Sequence, residues 1–496
     1  MNIVDPILFQ CRTNPLASAI CAPGTALNVV RYADLEKYIH NVGRMALSRG
    51  LAPGQTVALF IDDRILHAAV LLGLTKLGLV TVSGRNQAMP AGLTVDAALS
   101  DIRGFALAGT RTMTADLTWI AGDGKPIDEA RIARIRGDET ARIVLTSGSL
   151  GEPKAVAMSH ELIHRRQGRY DYVKGNRFPL CSRVYCDLGV ASSPGFRYMM
   201  YVLSRGGTLY VYGADADTTL DAFARYDVEV MIASPHSLAE YLKFYESVPS
   251  FQCGFDHIIS TGSLVSKELS ERIRARMCHH LYCSYGSTEA STVASAPAQA
   301  IAAVPGAVGT VTPGVTVEIV DDADRPMPPN AEGRVRIASP YNVAGYLGNE
   351  ADTQRVFRDG WFYPGDIGRL TPNRGLIISG REKLVLNVGG EKINPERVEA
   401  VLTAFKGVED AAVFGAHDAL GNERVRALIV AAAGVEETAL LAHCARELPQ
   451  GCVPVAITRV DRLPRSADGK LERTRLVQSD TSARMSLKMP VSALAP

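Results

Sequence analysis

The feature of this sequence that most constrains its fold is a repeated switch between helical and strand-like spacing of apolar residues. Residues 32–49 place apolar side chains at helical spacing, Pro53-Gly54 breaks the pattern, and Val57–Ile61 is a continuous apolar run typical of a buried strand. A second apolar helix, Ile65–Leu77, leads into the β-branched run Leu79–Val82. This order predicts βαβ units, a largely parallel sheet and an α/β fold.

The texture of the sequence changes in its second half, which predicts further structural units. Glycine, proline and short β-rich pieces dominate Val304–Gly380, a composition typical of antiparallel hairpins. From Arg381 onward helical and strand-like segments alternate again, so we expect a separate α+β module. A chain of 496 residues is also longer than one hydrophobic core usually serves, about 250–300 residues. We therefore predict a large N-terminal domain of stacked α/β subdomains plus a small β unit (1–381), a small mobile C-terminal domain (382–478) and a tail (479–496).

Charge and composition exclude several classes of function. Lys plus Arg number 53 and Asp plus Glu 52, so no net field attracts the chain to nucleic acid. No apolar run reaches the ~18–20 residues that span a bilayer, and the first residues lack the order of a signal peptide. The nine cysteines are odd in number and form no C-x-x-C pair, which favours reduced thiols. We expect a cytoplasmic protein that binds anions through local groups.

The strongest local signal is the segment Leu145–Lys154, LTSGSLGEPK, which directly follows an expected strand. It combines hydroxyl side chains, two glycines and a lysine within ten residues. Backbone amides and hydroxyls of such a loop can surround phosphate oxygens, and the lysine adds positive charge. The pattern does not fit a Walker A loop. Alone, it would be read more often as an ordinary turn.

Five segments, in order, resemble motifs of the adenylate-forming superfamily of acyl-CoA synthetases, luciferases and peptide-synthetase adenylation domains. The resemblance spans nearly the whole chain and is closest to acyl-CoA synthetases. The matching segments are LTSGSLGEPK at 145–154, YGSTE at 285–289, GWFYPGD at 360–366, Gly380-Arg381, and PRSADGK at 464–470.

The resemblance implies a site for ATP and Mg²⁺. The phosphate loop would hold the β- and γ-phosphates, Thr288 the α-phosphate, and Glu289 the Mg²⁺ ion, a hard cation that prefers carboxylate and phosphate oxygens. Asp366 would contact the ribose, Arg381 would add a second ribose or phosphate contact, and the adenine would lie between Gly262 and Tyr285. Further nucleotide-binding residues implied by the same motifs are Thr146, Ser147, Gly148, Ser149, Gly151, Lys154, Gly286 and Ser287.

The resemblance also implies two half-reactions with one moving domain. Lys470 would contact the carboxylate and the reacting phosphate while the acyl-adenylate forms. The C-terminal domain would then rotate about a hinge at Lys383 and bring the Gly389-Gly390 loop beside a tunnel for the thiol of coenzyme A.

Three departures from the family pattern concern the activity and the choice of acid substrate. Leu150 replaces a polar residue of the phosphate loop, and Pro364 replaces a threonine beside Asp366. Ser192 stands where many acyl- and aryl-CoA synthetases carry a histidine, and Ser193 where amino-acid-activating domains carry an aspartate. An α-ammonium group would therefore lack a carboxylate partner, which argues against amino acid substrates.

We expect the acyl pocket to include Ser192, Ser193, Phe196 and His236. Arg197 could pair with a second carboxylate on the substrate, although a solvated or salt-bridged arginine is more common. The predicted function is ATP-dependent activation of a carboxylic acid to an acyl-adenylate, followed by thioester formation with CoA. The alternatives are transfer to the phosphopantetheine of a carrier protein and a non-catalytic nucleotide-binding homologue.

Overall fold

The computed structural model describes most of the chain between Asn2 and Asp480. Of residues 170–174, 302, 387 and 391–392 only the backbone is described. The residues outside the description are 1, 85–88, 91, 129–131, 133–134, 147–152, 175–181, 249–253, 264, 303, 305, 385, 389–390, 418–422, 466–468, 470 and 481–496.

The first 159 residues build a sheet from the predicted βαβ units. Its strand order is β6-β5-β3-β4-β7-β8, parallel except for the last pair. Helix α3 begins where Asp63 accepts a hydrogen bond from the Leu66 amide, and it ends at Gly78, whose φ of 95° suits glycine. The elements are α1 (Asp5–Thr13), β1 (Ser18–Cys21), β2 (Val29–Arg31), α2 (Tyr32–Ser48), β3 (Thr56–Phe60), α3 (Arg64–Leu77), β4 (Val80–Ser83), β5 (Ala97–Ser100), β6 (Arg111–Thr114), β7 (Thr140–Leu145) and β8 (Ala155–Ser159).

The next segment builds a second parallel sheet beside the first. Strands β1, β10, β9, β11, β12 and β13 pair in that order and are parallel. Helices α2, α3 and α5 contribute to one core that includes residues of both sheets. The elements are α4 (His160–Lys174), β9 (Arg183–Cys186), α5 (Ser193–Leu203), β10 (Thr208–Tyr210), α6 (Ala216–Arg225), β11 (Val230–Ala233), α7 (Pro235–Ser247), β12 (His257–Thr261), α8 (Lys267–Arg276), β13 (His280–Ser287), β14 (Ser291–Pro297) and α9 (Ala298–Ala302).

The predicted antiparallel unit is present and continues the second sheet at its edge. Strand β13 pairs with β14, β14 with β15, and β15 with β21, all antiparallel. A separate cluster of buried residues forms its core. The elements are β15 (Ala307–Val311), β16 (Thr316–Val320), β17 (Gly333–Ala338), α10 (Glu350–Val356), β18 (Phe357–Arg358), β19 (Trp361–Phe362), β20 (Asp366–Leu370) and β21 (Gly375–Arg381).

The C-terminal segment has a core of its own, as the change in sequence texture predicts. Strand β21 ends at Arg381, and a 3-10 turn, Glu382–Leu384, leads into the segment. Helix α11 packs on the three-stranded sheet of β24, β25 and β26. The elements are β22 (Leu386–Val388), β23 (Glu391–Ile393), α11 (Pro395–Thr403), β24 (Val408–His417), β25 (Glu423–Ala431), α12 (Glu437–Glu447), β26 (Ala456–Arg459) and α13 (Leu476–Ser479).

A buried polar cluster joins the first sheet to the loop before α5. The Arg142 guanidinium donates to Ser83 Oγ at 3.0 Å and to the Val190 carbonyl at 2.9 Å. Ser83 Oγ also lies 2.8 Å from His67 Nε2. Burial, and then the charge of Arg142, lower the pKa of His67 to about 3. His67 is therefore neutral in the folded protein at physiological pH.

The seven cysteines that the structure describes are all free thiols. No helix in the described part of the chain combines the length and the apolar sequence that a bilayer crossing needs.

Candidate functional site

Two of the motif segments and the predicted adenine-region Gly262 lie at the carboxyl ends of parallel strands, the edge where α/β sheets bind ligands. Strand β7 leads into Thr146, β12 into Gly262, and β13 ends in the YGSTE motif. The base of the phosphate loop is closed by two hydrogen bonds between Thr146 and Lys154, one from each amide. Of the loop residues, Ser147, Gly148, Ser149, Leu150 and Gly151 lie outside the described residues.

Lys154 is half-buried and held by two partners. Its Nζ lies 2.7 Å from Asp352 Oδ2 and 4.5 Å from the centre of the Tyr346 ring. Hydrogen bonds from Lys154 and then from Arg355 lower the pKa of the Asp352 carboxyl to about 2. The ammonium therefore contacts a carboxylate and the face of an aromatic ring at the end of the phosphate loop.

Glu289 is buried, with 9% of its surface exposed, beside the same tyrosine. The Tyr346 hydroxyl donates to Glu289 Oε1 at 2.8 Å, and Oε2 accepts no hydrogen bond from the described part of the chain. Burial, and then the charge of Glu289, raise the pKa of Tyr346 well above its ordinary value, so the hydroxyl keeps its proton.

One available carboxylate oxygen suits Mg²⁺, which usually takes one or two carboxylates together with substrate oxygens. Among the described residues, no group of three or more His, Cys, Asp or Glu side chains could hold a metal ion by itself. A cation at Glu289 would therefore depend on phosphate oxygens for most of its ligands.

A buried arginine of α4 fixes the turn that carries Thr288 and Glu289. Arg166 donates to the Thr288 carbonyl at 3.1 Å, to the Glu289 carbonyl at 2.9 Å and to the Tyr341 carbonyl. Burial lowers the pKa of Arg166 to about 9, which still leaves it charged at neutral pH. Three carbonyl oxygens thus compensate one buried cation.

The residues predicted to contact the ribose meet at one buried carboxylate. Asp366 accepts hydrogen bonds from the Tyr285 hydroxyl and, at 3.1 Å, from Arg381 Nε. Asp366 is only 3% exposed, and burial raises the pKa of its carboxyl against the opposing effects of Arg381 and Tyr285. The hydroxyl contact fixes the Tyr285 ring beside the carboxylate.

The glycines of the predicted adenine region have different roles. Gly262 has a φ of 106°, and a Cβ added there would meet no atom of the described residues within 4 Å. At Gly286 a Cβ would lie 2.0 Å from the Ser291 carbonyl, so this glycine permits the close pairing of β13 and β14. Ser287 Oγ accepts a hydrogen bond from the Ala290 amide. Gly262 therefore leaves room for a flat ligand, whereas Gly286 serves the sheet.

The expected acyl-pocket residues of α5 are mostly engaged in the fold. Ser192 caps the helix: its Oγ accepts from the Gly195 amide at 3.1 Å and donates to the Gly189 carbonyl at 2.8 Å. Ser193 is the first helical residue. Phe196 is 2% exposed, and the Arg142 guanidinium lies 4.8 Å from its ring centre.

Arg197 reaches the strand that follows the YGSTE turn. Its Nη1 lies 3.3 Å from both Ser291 Oγ and Thr292 Oγ1. The side chain is thus close to the segment that carries Glu289.

The C-terminal segment places its last motif against α7. A Cβ added at Gly469 would lie 2.9 Å from Ser234 Oγ and 3.0 Å from His236 Cβ. Lys470, the next residue, lies outside the described residues, as do Gly389 and Gly390. Lys383 is exposed in the turn Glu382–Leu384.

A second contact between the segments is the ion pair of Lys243 with Glu409, at 3.2 Å. The structure therefore brings Gly469 close to the exposed His236.

Comparison with known sequences decides the family. The sequence profile of the AMP-binding enzyme matches residues 10–347, and that of the AMP-binding enzyme C-terminal domain matches residues 397–470. The chain belongs to the AMP-binding enzyme family. The predicted family and the predicted α/β fold are confirmed.

Relatives of this AMP-binding enzyme are similar over nearly their whole length. A feruloyl-CoA synthase from Amycolatopsis is 26% identical over 93% of this chain and 96% of its own. A 2-succinylbenzoate–CoA ligase from Listeria innocua is 25% identical over 90% and 93%. The structure of O-succinylbenzoate coenzyme A synthetase from Bacillus subtilis, in complex with ATP and magnesium ion, superposes with a TM-score of 0.82 at 21% identity, covering 95% of this chain and 98% of the other.

Three residues of this site in the AMP-binding enzyme were not predicted from its sequence: Arg166, Tyr346 and Asp352. Each lies outside the quoted motifs and reaches the site through a contact distant in sequence, such as the 57 residues between Tyr346 and Glu289. The acidic start of α10, Glu350 and Asp352, is an ordinary helix N-terminus and gave no signal of a site. The roles of the predicted site residues themselves remain predictions.

Proposed function

We propose that this protein is an AMP-forming acid–thiol ligase that uses ATP and Mg²⁺ to activate a carboxylic acid and transfers the acyl group to CoA. The observation that carries the proposal is the convergence of Lys154 and Glu289 on Tyr346, beside the predicted phosphate loop. A cation for phosphate and a carboxylate for a metal ion are what a bound triphosphate requires. The named activities of the feruloyl and 2-succinylbenzoate relatives agree with this assignment.

In the first half-reaction a carboxylate oxygen of the acid attacks the α-phosphorus of ATP. The bond from that phosphorus to the bridging oxygen breaks, and pyrophosphate leaves with the electron pair. Lys154 would stabilise the terminal phosphates, Thr288 the α-phosphate, and Lys470 the charge that develops between acid and phosphate. Mg²⁺ bound at Glu289 would supply further neutralisation of the triphosphate.

In the second half-reaction the thiolate attacks the acyl carbonyl, and AMP leaves as the mixed anhydride bond breaks. Asp366 and Arg381 would hold the ribose throughout, because a buried carboxylate can accept from both hydroxyls of a diol. We assign residues 382–478 as the domain that rotates about Lys383 between the steps, and Gly389-Gly390 as the loop that approaches the thiol.

We infer that the substrate is not an α-amino acid, because Ser193 offers no carboxylate to an α-ammonium group. The relatives named for feruloyl and 2-succinylbenzoate substrates place aromatic acids first in a substrate screen. Free thiols at all seven described cysteines suit a reducing compartment, and we propose the cytoplasm.

The test is acid-dependent pyrophosphate release, screened over aromatic, dicarboxylic, branched, short-chain and long-chain acids, followed by exchange of labelled pyrophosphate into ATP. Lys470→Ala is expected to retain ATP binding and to reduce exchange about 10²–10³-fold, because one charge-stabilising group is lost. Lys406→Ala, which removes an exposed lysine of the same segment, is the matched control. Exchange at the wild-type rate in Lys470→Ala would contradict the assignment of Lys470.

A second measurement identifies the thiol acceptor: the rate at which each candidate thiol consumes the preformed acyl-adenylate. We expect free CoA to consume the adenylate faster than a carrier protein with its phosphopantetheine attached. Faster consumption by the carrier protein would favour the carrier-loading alternative. ATP binding without exchange for any acid would favour a non-catalytic homologue.

A further inference from the structure

The side chain of Tyr346 lies between the two charged groups that the proposed function needs. Its segment connects β17 to α10 and is fixed by backbone contacts: the Leu347 amide donates to the Ala155 carbonyl at 2.8 Å, and the Tyr346 amide to Thr353 Oγ1 at 2.9 Å. The ring also packs edge-on against Phe357, with ring centres 5.7 Å apart. The ring is therefore held in place before any ligand binds.

The two ends of this side chain contact different partners. The face of the ring lies 4.5 Å from the Lys154 ammonium, and the hydroxyl donates to Glu289 Oε1 at 2.8 Å. The hydroxyl has one proton, which it donates to the carboxylate. This hydrogen bond fixes the rotation of the Glu289 carboxylate, and Oε2 accepts no hydrogen bond from the described residues.

We propose that Tyr346 is a positioning residue for the metal–nucleotide complex: its hydroxyl orients the Glu289 carboxylate toward Mg²⁺, and its ring holds the Lys154 ammonium beside the same phosphates. The inference rests on the proposed function, since it takes the roles of Lys154 and Glu289 from it. Replacing a residue that hydrogen-bonds a metal-binding carboxylate typically weakens metal affinity about 10–100-fold.

Asp352 explains why an aromatic partner is useful at Lys154. In the structure the ammonium is paired with Asp352 Oδ2 at 2.7 Å, so this carboxylate competes with a phosphate for the positive charge of Lys154. The ring face is a neutral partner that does not compete with the phosphate for the charge. Tyr346 can therefore keep Lys154 near the loop in both states.

The test separates the hydroxyl from the ring. Binding of α,β-methylene ATP, which cannot release pyrophosphate, is measured by calorimetry at a series of Mg²⁺ concentrations. Tyr346→Phe is expected to weaken the Mg²⁺-dependent binding about tenfold and to leave binding without Mg²⁺ unchanged. Tyr346→Leu is expected to weaken both, because the ring face is also lost. Tyr226→Phe, at a half-buried tyrosine that packs on Tyr210, is the control.

A double-mutant cycle shows whether the hydroxyl acts through the carboxylate. In a Glu289→Gln background, Tyr346→Phe is expected to have no further effect on the Mg²⁺ dependence. Wild-type Mg²⁺ dependence in Tyr346→Phe, or the same tenfold loss in both backgrounds, would overturn the inference. Because the analogue reports binding alone, failure of all acids to support exchange would count against the proposed function while this cycle still decides the role of Tyr346.

Discussion

At the scale of single residues, the most informative feature is a buried histidine close to a buried arginine. His67 is 5% exposed, hydrogen-bonded to Ser83 and close to the buried Arg142. Its pKa of about 3 means that the folded protein resists protonation at this site, whereas the unfolded chain takes up a proton near its ordinary pKa of about 6.5.

We therefore expect acid to destabilise the protein through His67. The native pKa is lowered, so its contribution to stability is complete above pH 6.5 and is lost as the pH falls from there toward 3. At pH 5 the loss is about 2 kcal/mol. Urea unfolding midpoints of wild type and His67→Gln, measured between pH 7 and 5, should show a shallower pH dependence in the variant. Equal slopes would contradict the buried neutral histidine.

The residues that sequence reasoning found are those whose chemistry is carried by short local patterns. Lys154, Glu289 and Asp366 each lie in a motif whose neighbours define the loop. Tyr346 and Arg166 could not be found in this way, since their roles depend on contacts 57 and 122 residues away. A tyrosine or a helical arginine has the same local pattern whether it contacts the site or the solvent.

At the scale of elements, helix α5 begins at a serine, Ser192, that caps the helix and that we predict to lie in the acyl pocket. Ser192 satisfies the Gly195 amide at the helix start and binds the Gly189 carbonyl, so the turn before α5 has a defined shape. A Cβ at Gly195 would lie 2.1 Å from the Gly189 carbonyl, so the turn and the helix are in close contact. The family position of a histidine is occupied here by a helix cap.

Removal of this cap is expected to lower the stability of the protein and to weaken binding of the acid. Ser192→Ala should lower the free energy of unfolding by about 1 kcal/mol and raise the KM for the acid, with little change in the KM for ATP. The matched control is Ser266→Ala, which removes the cap of α8, where Ser266 Oγ accepts from the Leu269 amide at 3.1 Å. The control should lose similar stability and keep the KM for the acid. An unchanged KM in both variants would exclude a role of this turn in acid binding.

The order and type of most elements could be predicted from periodicity, while their ends and partners could not. Strand β24 extends from Val408 to His417, whereas its apolar pattern predicts only Ala411–Phe414. The extra residues pair with β25 and are half-polar, so burial does not mark them in the sequence. Within the antiparallel unit, β15 likewise pairs with β21, a strand far along the chain, and no local pattern marks that pairing.

At the scale of the whole molecule, a short turn joins the C-terminal segment to the rest of the chain. The large core includes residues of both main sheets, and the C-terminal core surrounds α11 and the three-stranded sheet. The contacts between the segments include the Lys243–Glu409 ion pair and the approach of Gly469 to His236. An exposed ion pair contributes only about 0–1 kcal/mol, so the Lys243–Glu409 pair by itself adds little resistance to the proposed rotation.

We expect Lys383→Pro to separate the two half-reactions. A 3-10 turn has φ near −50 to −70°, which proline adopts, so the turn Glu382–Leu384 is preserved while rotation about it is restricted. Exchange of pyrophosphate into ATP should be retained, and thioester formation should fall about 100-fold. Lys383→Ala should support both steps. Equal loss of both steps in Lys383→Pro would argue against a hinge at this position.

The contacts of Arg166 have a consequence for how such an enzyme can change over evolution. Strand β8 follows the phosphate loop and runs directly into α4, and Arg166 on that helix holds the backbone of Thr288 and Glu289. The two segments predicted to face the triphosphate are thus connected through α4. We expect substitutions that alter the choice of acid or the speed of domain rotation to leave this connection, and with it nucleotide recognition, unchanged.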